Sequence, residues 1–236
     1  MEARRATMDT SLLRTDPLIL AITAEVRAFM RHYDASHAFD HVERVLGLAL
    51  AILAAEPPRR PALDARVVAL AALLHDVGDR KYLAAGQDGA AVAHGLLRAY
   101  SADEALAARV QAICSGVSYT SEMEDPERTR VLMERYPELA VVQDADRIDA
   151  IGAVGIGRLF TYGGAKTDRS MASSMEHMDE KLLRLVGMMK TAKGREMAKE
   201  RTRRMEEFKR YWKEEMSFAE LAMADGPGPD HMAAHS

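Results

Sequence analysis

Apolar residues recur at three- and four-residue spacing along most of the chain, which is the pattern of helices that bury one face. The first half of the sequence predicts helices at residues 18–33, 41–56, 63–75, 90–99 and 102–114. Pro57 and Pro58 close the second of these helices, and Ser101 is the predicted N-cap of the fifth. The pattern therefore predicts an all-α fold.

The second half continues the helical pattern after a predicted loop at residues 118–130. A helix starting at Glu138 or Leu139 carries VVQDADRIDAIGAVGIGRLF, whose small residues let neighbouring helices approach closely, so we expect it to be central. A methionine-rich helical region follows, with a break expected near Gly194. We predict three parts: a helical core at 18–170, C-terminal helices packed on it at 171–216, and a disordered tail at 217–236.

Composition narrows the class of protein. The 236 residues carry a formal net charge of -4, which gives no electrostatic reason to expect nucleic acid as a partner. A single cysteine excludes an internal disulfide. The longest uncharged apolar run, VLGLALAILAA, is shorter than the roughly 20 residues that cross a bilayer. We therefore expect a cytoplasmic protein with no membrane segment.

The stretch VVALAALLHD places His75 and Asp76 directly after an apolar helix. These side chains are costly to bury unless something pairs with them, and a divalent cation makes a neutral imidazole and a carboxylate favourable in one place. His41 and Asp146 are the candidates for further ligands. Asp144 competes with Asp146, but the two lie about 200° apart around one helix, so only one should face the ion.

Three short motifs carry a resemblance: HVERV at residues 41–45, HD at 75–76 and ADR at 145–147. Together they resemble the HD-domain metal-dependent phosphohydrolase superfamily. The longer stretches LAALLHDVGDRKY and ELAVVQDADRIDAIGAVGIGRLFTYGGAK are similar to a branch of small stand-alone HD proteins that includes nucleoside-triphosphate pyrophosphohydrolases. The likeness covers roughly residues 18–216 and implies a compact HD-domain helical bundle with an additional C-terminal helical region.

The resemblance implies one divalent ion held by four ligands, His41, His75, Asp76 and Asp146. Asp146 is preferred to Asp144 because the superfamily pattern places its last aspartate between an alanine and a basic or small residue. Two imidazoles and two carboxylates with open positions suit manganese, magnesium, cobalt or nickel better than a closed structural zinc site. The implied reaction is hydrolysis of a (d)NTP to a (d)NMP and pyrophosphate by a metal-bound water.

Two further residues are predicted to be catalytic. Asp79 lies three positions after Asp76, where it could orient the attacking water or shuttle its proton, as an acid at this position does in related enzymes. Lys81 could supply positive charge to a phosphate. The alternative for both is an ordinary surface side chain.

An acidic protein that binds polyphosphate needs a local set of cations, and arginine suits phosphoryl oxygens. The predicted substrate-binding residues are Arg44, Arg147, Arg158, Lys166 and His37. Each arginine could instead pair with a structural acid.

Other functions stay open at this point. A nucleotide phosphomonoesterase would use the same ligands, and a catalytically silent regulatory or binding module would share the fold. A mixed-valent di-iron oxygenase needs further histidines, of which only His94 is well placed. The expected partner is a small nucleotide substrate, and a methionine stripe from Met171 to Met189 leaves either core packing or a homodimer contact open.

Overall fold

A computed structural model describes residues 15–32, 38–58, 62–78, 89–167 and 169–224. Throughout that part the chain is helical and contains no strand, so the predicted all-α fold is confirmed. The first six α-helices are α1 Pro17–Phe29, α2 Phe39–Ala55, α3 Ala65–Leu74, α4 Val92–Ala99, α5 Glu104–Val117 and α6 Tyr119–Glu124. They are followed by α7 Pro126–Arg135, α8 Glu138–Asp149, α9 Gly152–Lys166, α10 Met171–Glu180 and α11 Ala192–Ala224. Short 3₁₀ helices occupy Met30–His32, Gly89–Ala91 and Leu182–Met188.

Helix α3 is the centre of the core. Its residues 67–74 are all buried, and it packs against α1, α2, α5 and α8. Asp64 caps its start, where the carboxylate accepts hydrogen bonds from the backbone N–H groups of Arg66 and Val67. Because the helix is apolar on all sides, its C-terminal end delivers His75 and Asp76 to the interior of the bundle.

Helix α8 lies beside α2 and α3 and is buried along almost its whole length. It ends at Asp149, whereas the sequence predicted one continuous helix through residue 160. The break occurs because Ile151 is extended and Gly152, the first residue of α9, has a φ of 77°, a left-handed conformation that turns the chain away from the path of α8. A Cβ at Gly155 would lie 2.3 Å from the Ala150 carbonyl oxygen, so the turn into α9 also needs a small residue there.

Two local predictions are wrong. The predicted loop at 118–130 contains α6 and the start of α7, and Asp125 caps α7 ahead of Pro126 at its first turn. The N-cap of α5 is Asp103, whose carboxylate accepts from Leu106 N, while Ser101 has a φ of 62° and lies in the preceding turn. In both places an aspartate supplies the short acceptor side chain that a helix start requires.

The C-terminal helices pack against α8 and α9. Phe160 of α9 stacks on Trp212 of α11 with ring centroids 5.6 Å apart, and Phe208 packs beside both rings. Helix α11 begins close to the predicted break near Gly194 but continues to Ala224, beyond the predicted helical limit of 216. The rest of the predicted tail, residues 225–236, lies outside the described residues. Within the described ranges, no helix combines the length and apolar character that crossing a bilayer requires.

Candidate metal centre

Four predicted ligands converge where α2, α3 and α8 meet. His41 Nε2 lies 3.3 Å from His75 Nε2, 3.4 Å from Asp76 Oδ2 and 3.5 Å from Asp146 Oδ1. His75 Nε2 lies 3.4 Å from Asp76 Oδ1 and 3.7 Å from Asp146 Oδ1. These four residues, His41, His75, Asp76 and Asp146, are called the candidate metal centre below.

The two histidines direct the same ring nitrogen to the centre because their other nitrogen is engaged elsewhere. His75 Nδ1 lies 2.8 Å from the carbonyl oxygen of Ala72 in its own helix. His41 Nδ1 lies 2.8 Å from Asp149 Oδ2. Since a carbonyl or a carboxylate only accepts, each Nδ1 carries a proton and each Nε2 lone pair is available to a cation when the imidazole is neutral.

The donor set fits a divalent cation. Donor atoms that share one ion at about 2.0–2.2 Å lie roughly 3 to 3.5 Å apart, close to the separations seen here. Both imidazoles are 1% exposed, whereas the Asp76 and Asp146 side chains are 17% and 26% exposed. The carboxylate side of the centre is thus partly exposed to solvent, while the imidazole side is buried.

Asp149 is a buried carboxylate directly behind His41, and sequence reasoning missed it. Burial by itself lowers the pKa of His41, but the hydrogen bond to Asp149 and the Asp76 carboxylate outweigh it and raise this pKa to about 9. Burial raises the pKa of Asp149, yet the His41 and Arg44 hydrogen bonds hold it well below its usual range. Asp149 lies three positions after Asp146 in the same helix, and that spacing was the available signal for a shared face.

Asp144 and Asp146 have separate surroundings, although they are only two positions apart. The Asp144 carboxylate is fully buried and accepts hydrogen bonds from the backbone N–H groups of Lys190 and Thr191, and from Thr191 Oγ1. Desolvation raises the pKa of Asp144. The structure therefore brings Asp146, not Asp144, to the candidate metal centre, in line with the preferred alternative.

The arginines predicted to bind substrate are engaged with acids. Arg147 is 2% exposed, donates to Glu122 Oε2 and lies on the side of α8 that faces the C-terminal region. The structure does not bring this guanidinium to the centre, because the position after Asp146 is rotated by about 100° around the helix. Arg44 and Arg158 both donate to Asp149.

Lys166 is exposed at the last residue of α9. The predicted catalytic residues Asp79 and Lys81, and the predicted substrate ligand His37, lie outside the described residues. Their roles stay predictions. His94, the spare histidine considered for a di-iron site, donates instead through Nε2 to Glu104 Oε1 of α5, at 2.9 Å.

Comparison with known proteins agrees with this geometry. A family model described as the HD domain matches residues 38–151, a range that contains the four residues of the candidate metal centre and Asp149. The chain belongs to the HD superfamily of metal-dependent hydrolases, as the resemblance in its sequence predicted.

Individual relatives cover most of the chain. YpgQ of Bacillus subtilis is 34% identical over 191 residues, which span 78% of this chain and 87% of YpgQ. The crystal structure of YpgQ in complex with ADP has a TM-score of 0.64 at 31% identity, covering 82% of this chain and 97% of that one. An HD-superfamily hydrolase from Bacillus thuringiensis has a TM-score of 0.56 at 27% identity, covering 84% and 96%.

Proposed function

We propose that this protein hydrolyses a nucleoside or deoxynucleoside triphosphate to the monophosphate and pyrophosphate, with one divalent cation at the candidate metal centre. The observation that carries the proposal is the convergence of two imidazole Nε2 atoms and two carboxylates, with buried histidines and an open carboxylate side. We propose Asp146 as the fourth ligand, since Asp144 is occupied by Lys190 and Thr191.

The two histidines and the two aspartates are proposed to have different roles. His41 and His75 hold the cation from the buried side, while Asp76 and Asp146 neutralise much of its charge and border the open side. A divalent cation bound there supplies an acidified water as nucleophile and neutralises a phosphoryl oxygen. Asp79 is proposed to orient that water, and Lys81, Lys166 and His37 are proposed to contact the phosphates.

A covalent route through the cysteine has no support. Cys114 is buried in α5, and desolvation raises the pKa of its thiol to about 12, so the thiolate that a nucleophile requires is scarce near neutral pH. Direct hydrolysis by water is the chemistry that the candidate metal centre suits.

The nucleotide is proposed from a relative. The structure of YpgQ was determined in complex with ADP, and this chain covers nearly all of that protein at 31% identity. A nucleoside diphosphate bound to that relative supports a nucleotide substrate for this chain. The split between the α- and β-phosphorus atoms is proposed from the resemblance to nucleoside-triphosphate pyrophosphohydrolases.

The decisive experiment follows the phosphorus product. Protein stripped with a chelator is incubated with each of the common nucleoside and deoxynucleoside triphosphates and monophosphates. Manganese, magnesium, cobalt or nickel is restored singly, and ³¹P NMR identifies the product. We expect pyrophosphate and a monophosphate, formed only with a restored ion. Orthophosphate from monophosphates alone would replace the proposal with a phosphomonoesterase. Absence of turnover with every ion and nucleotide would favour a silent binding module.

A further inference from the structure

Asp149, at the last residue of α8, collects hydrogen bonds from three side chains while it is fully buried. His41 Nδ1 lies 2.8 Å from its Oδ2. Arg44 donates through Nε to Oδ1 at 2.8 Å and through Nη2 to Oδ2 at 3.1 Å. Arg158 donates through Nη1 to Oδ2 at 3.1 Å. Such a carboxylate is tightly fixed and has little freedom to turn.

We propose that Asp149 is a positioning residue that holds His41 with Nε2 toward the cation, and that Arg44 and Arg158 act on the cation through Asp149 and not as phosphate ligands. This inference rests on the cation proposed above. It replaces the prediction, made from sequence, that the two arginines bind substrate.

The two histidines differ in what orients their rings. His75 is oriented by Ala72 O, a backbone atom one turn earlier in its own helix, so its direction is fixed as soon as α3 forms. His41 is at the start of α2 and is oriented by a side chain from α8, 108 positions later in the sequence. The direction of the His41 ring therefore depends on Asp149 in a way that the direction of His75 does not.

The charge of Asp149 affects how strongly His41 binds a cation. A carboxylate that accepts from Nδ1 fixes the tautomer in which Nε2 has the free lone pair, and its negative charge makes that lone pair a stronger donor to a cation. An uncharged acceptor would fix the same tautomer with less effect on the strength of the ligand. Asp149 thus sets both the orientation of His41 and its affinity for the ion.

Burial of the ionised Asp149 carboxylate costs free energy. An ionised group without exposure to water needs close partners of opposite charge, and two guanidinium groups supply them here. Arg44 directs Nε and Nη2 at Asp149 and donates through Nη1 to Asp40 at 2.5 Å, so three of its N–H directions are already used. With three of its five N–H groups donated to acids, Arg44 keeps only two for a phosphate.

The test measures Co²⁺ binding to metal-stripped protein in the absence of nucleotide, from the visible absorption of bound cobalt. Asp149→Asn keeps the volume and one acceptor atom but removes the charge, and we expect about 10- to 100-fold weaker binding, the usual effect of losing a group that orients a metal ligand. Asp144→Asn is the matched control, because it also changes a buried carboxylate of α8 that accepts several hydrogen bonds. We expect it to lower thermal stability and to leave cobalt affinity within about 3-fold, since no described contact links Asp144 to His41.

Arg44→Gln provides a second test that does not depend on a buried substitution. If Arg44 acts through Asp149, cobalt binding weakens and the KM for a nucleotide, measured at saturating cation, is little changed. If KM rises while cobalt affinity is unchanged, Arg44 is a substrate ligand and the inference is overturned. Equal cobalt affinity in wild type and Asp149→Asn also overturns it. Failure of the wild type itself to bind cobalt would instead overturn the proposed metal centre, and the inference with it.

Discussion

At the scale of single residues, two aspartates of α8 have opposite tasks. Asp146 lies beside His41 in the candidate metal centre, and Asp144 holds the segment that precedes α11 through the backbone N–H groups of Lys190 and Thr191. We expect Asp146→Asn to reduce cation-dependent hydrolysis to the metal-free background with little loss of stability. We expect Asp144→Asn to cost about 1–3 kcal/mol of unfolding free energy and to retain cation-dependent activity, because a weakened acceptor leaves buried donors poorly satisfied.

The two variants are compared by urea unfolding and by initial rates with and without the cation. An Asp146→Asn protein that remains active, or an Asp144→Asn protein that is fully stable but inactive, would reverse the assignment of the two residues.

Gly194 allows the Asp144 contact, because a Cβ at this position would lie 2.2 Å from Asp144 Oδ2 and 2.7 Å from Thr191 Oγ1. We expect Gly194→Ala to destabilise the protein by about 1–3 kcal/mol through overpacking. The matched control is Gly47→Ala in α2, where nothing lies within 4 Å of the added Cβ and helix propensity favours alanine by up to about 1 kcal/mol. Urea unfolding of both variants checks the prediction, and equal effects of the same sign would contradict it.

At the scale of helices, the sequence predicted those with a strong apolar period and missed those without one. Helix α3 was predicted because its residues 67–74 are apolar on every side of the helix. Helices α6 and α7 were missed because α6 buries none of its residues and α7 buries Thr129 alone, which leaves little periodic signal. The end of α8 was missed because small and apolar residues continue past it from Ala150 to Gly157, while the break depends on the backbone angles of Ile151 and Gly152.

The residues of the candidate metal centre could be proposed from motifs because HVERV, HD and ADR are short local patterns. Asp149 could not be assigned in this way, since its partners His41 and Arg44 come from another helix. Motifs could not place Arg147 either. Its neighbour in sequence, Asp146, is at the candidate metal centre, but Arg147 itself pairs with Glu122 on α6. Contacts between helices decide which charged side chains face the candidate metal centre.

Glu122 joins α6 to two other parts of the bundle. Its carboxylate accepts from Arg147 on α8 and from Lys190 Nζ at 2.6 Å. Burial raises the pKa of Glu122, but the Lys190 and Arg147 hydrogen bonds outweigh it and hold the pKa below its usual value. A depressed pKa means that the ionised group stabilises the fold above the pKa of the unfolded chain, and that this contribution is lost as the pH falls through the lower, folded value.

We therefore expect Glu122→Gln to lower the melting temperature near neutral pH and to matter progressively less below about pH 4. Differential scanning calorimetry across that range checks the prediction. Glu196→Gln is the control, since Glu196 pairs with Lys193 on an exposed face of α11 and should change stability little at any pH. A Glu122→Gln effect that stays constant down to acidic pH would show that packing, not charge, is responsible.

At the scale of the whole molecule, the C-terminal helices contact the part of the core that the HD-family match covers. The matched range ends at residue 151, yet Asp144 within it accepts hydrogen bonds from Lys190 and Thr191. Arg147, also within it, donates to the carbonyl oxygen of Met188. The Arg201 side chain of α11 donates to the carbonyl oxygen of Ile148 at 2.6 Å, beside Asp149 at the end of α8. The helix that carries Asp146 is therefore supported from the C-terminal side.

This dependence predicts the outcome of two truncations. A fragment of residues 1–170, the predicted core alone, would leave the Asp144 carboxylate without its donors from Lys190 and Thr191, and unsatisfied buried polar groups each cost about 1–3 kcal/mol. We expect it to lack cooperative unfolding and to bind no divalent cation. A fragment of residues 1–218 keeps the stacked Phe160 and Trp212 and the hydrogen bonds from residues 190–201 to α8, so it should unfold within a few degrees of the full chain. Calorimetry and cobalt titration of both fragments check these predictions. If the 1–170 fragment melts sharply and binds cobalt as the full chain does, the candidate metal centre forms without the C-terminal helices.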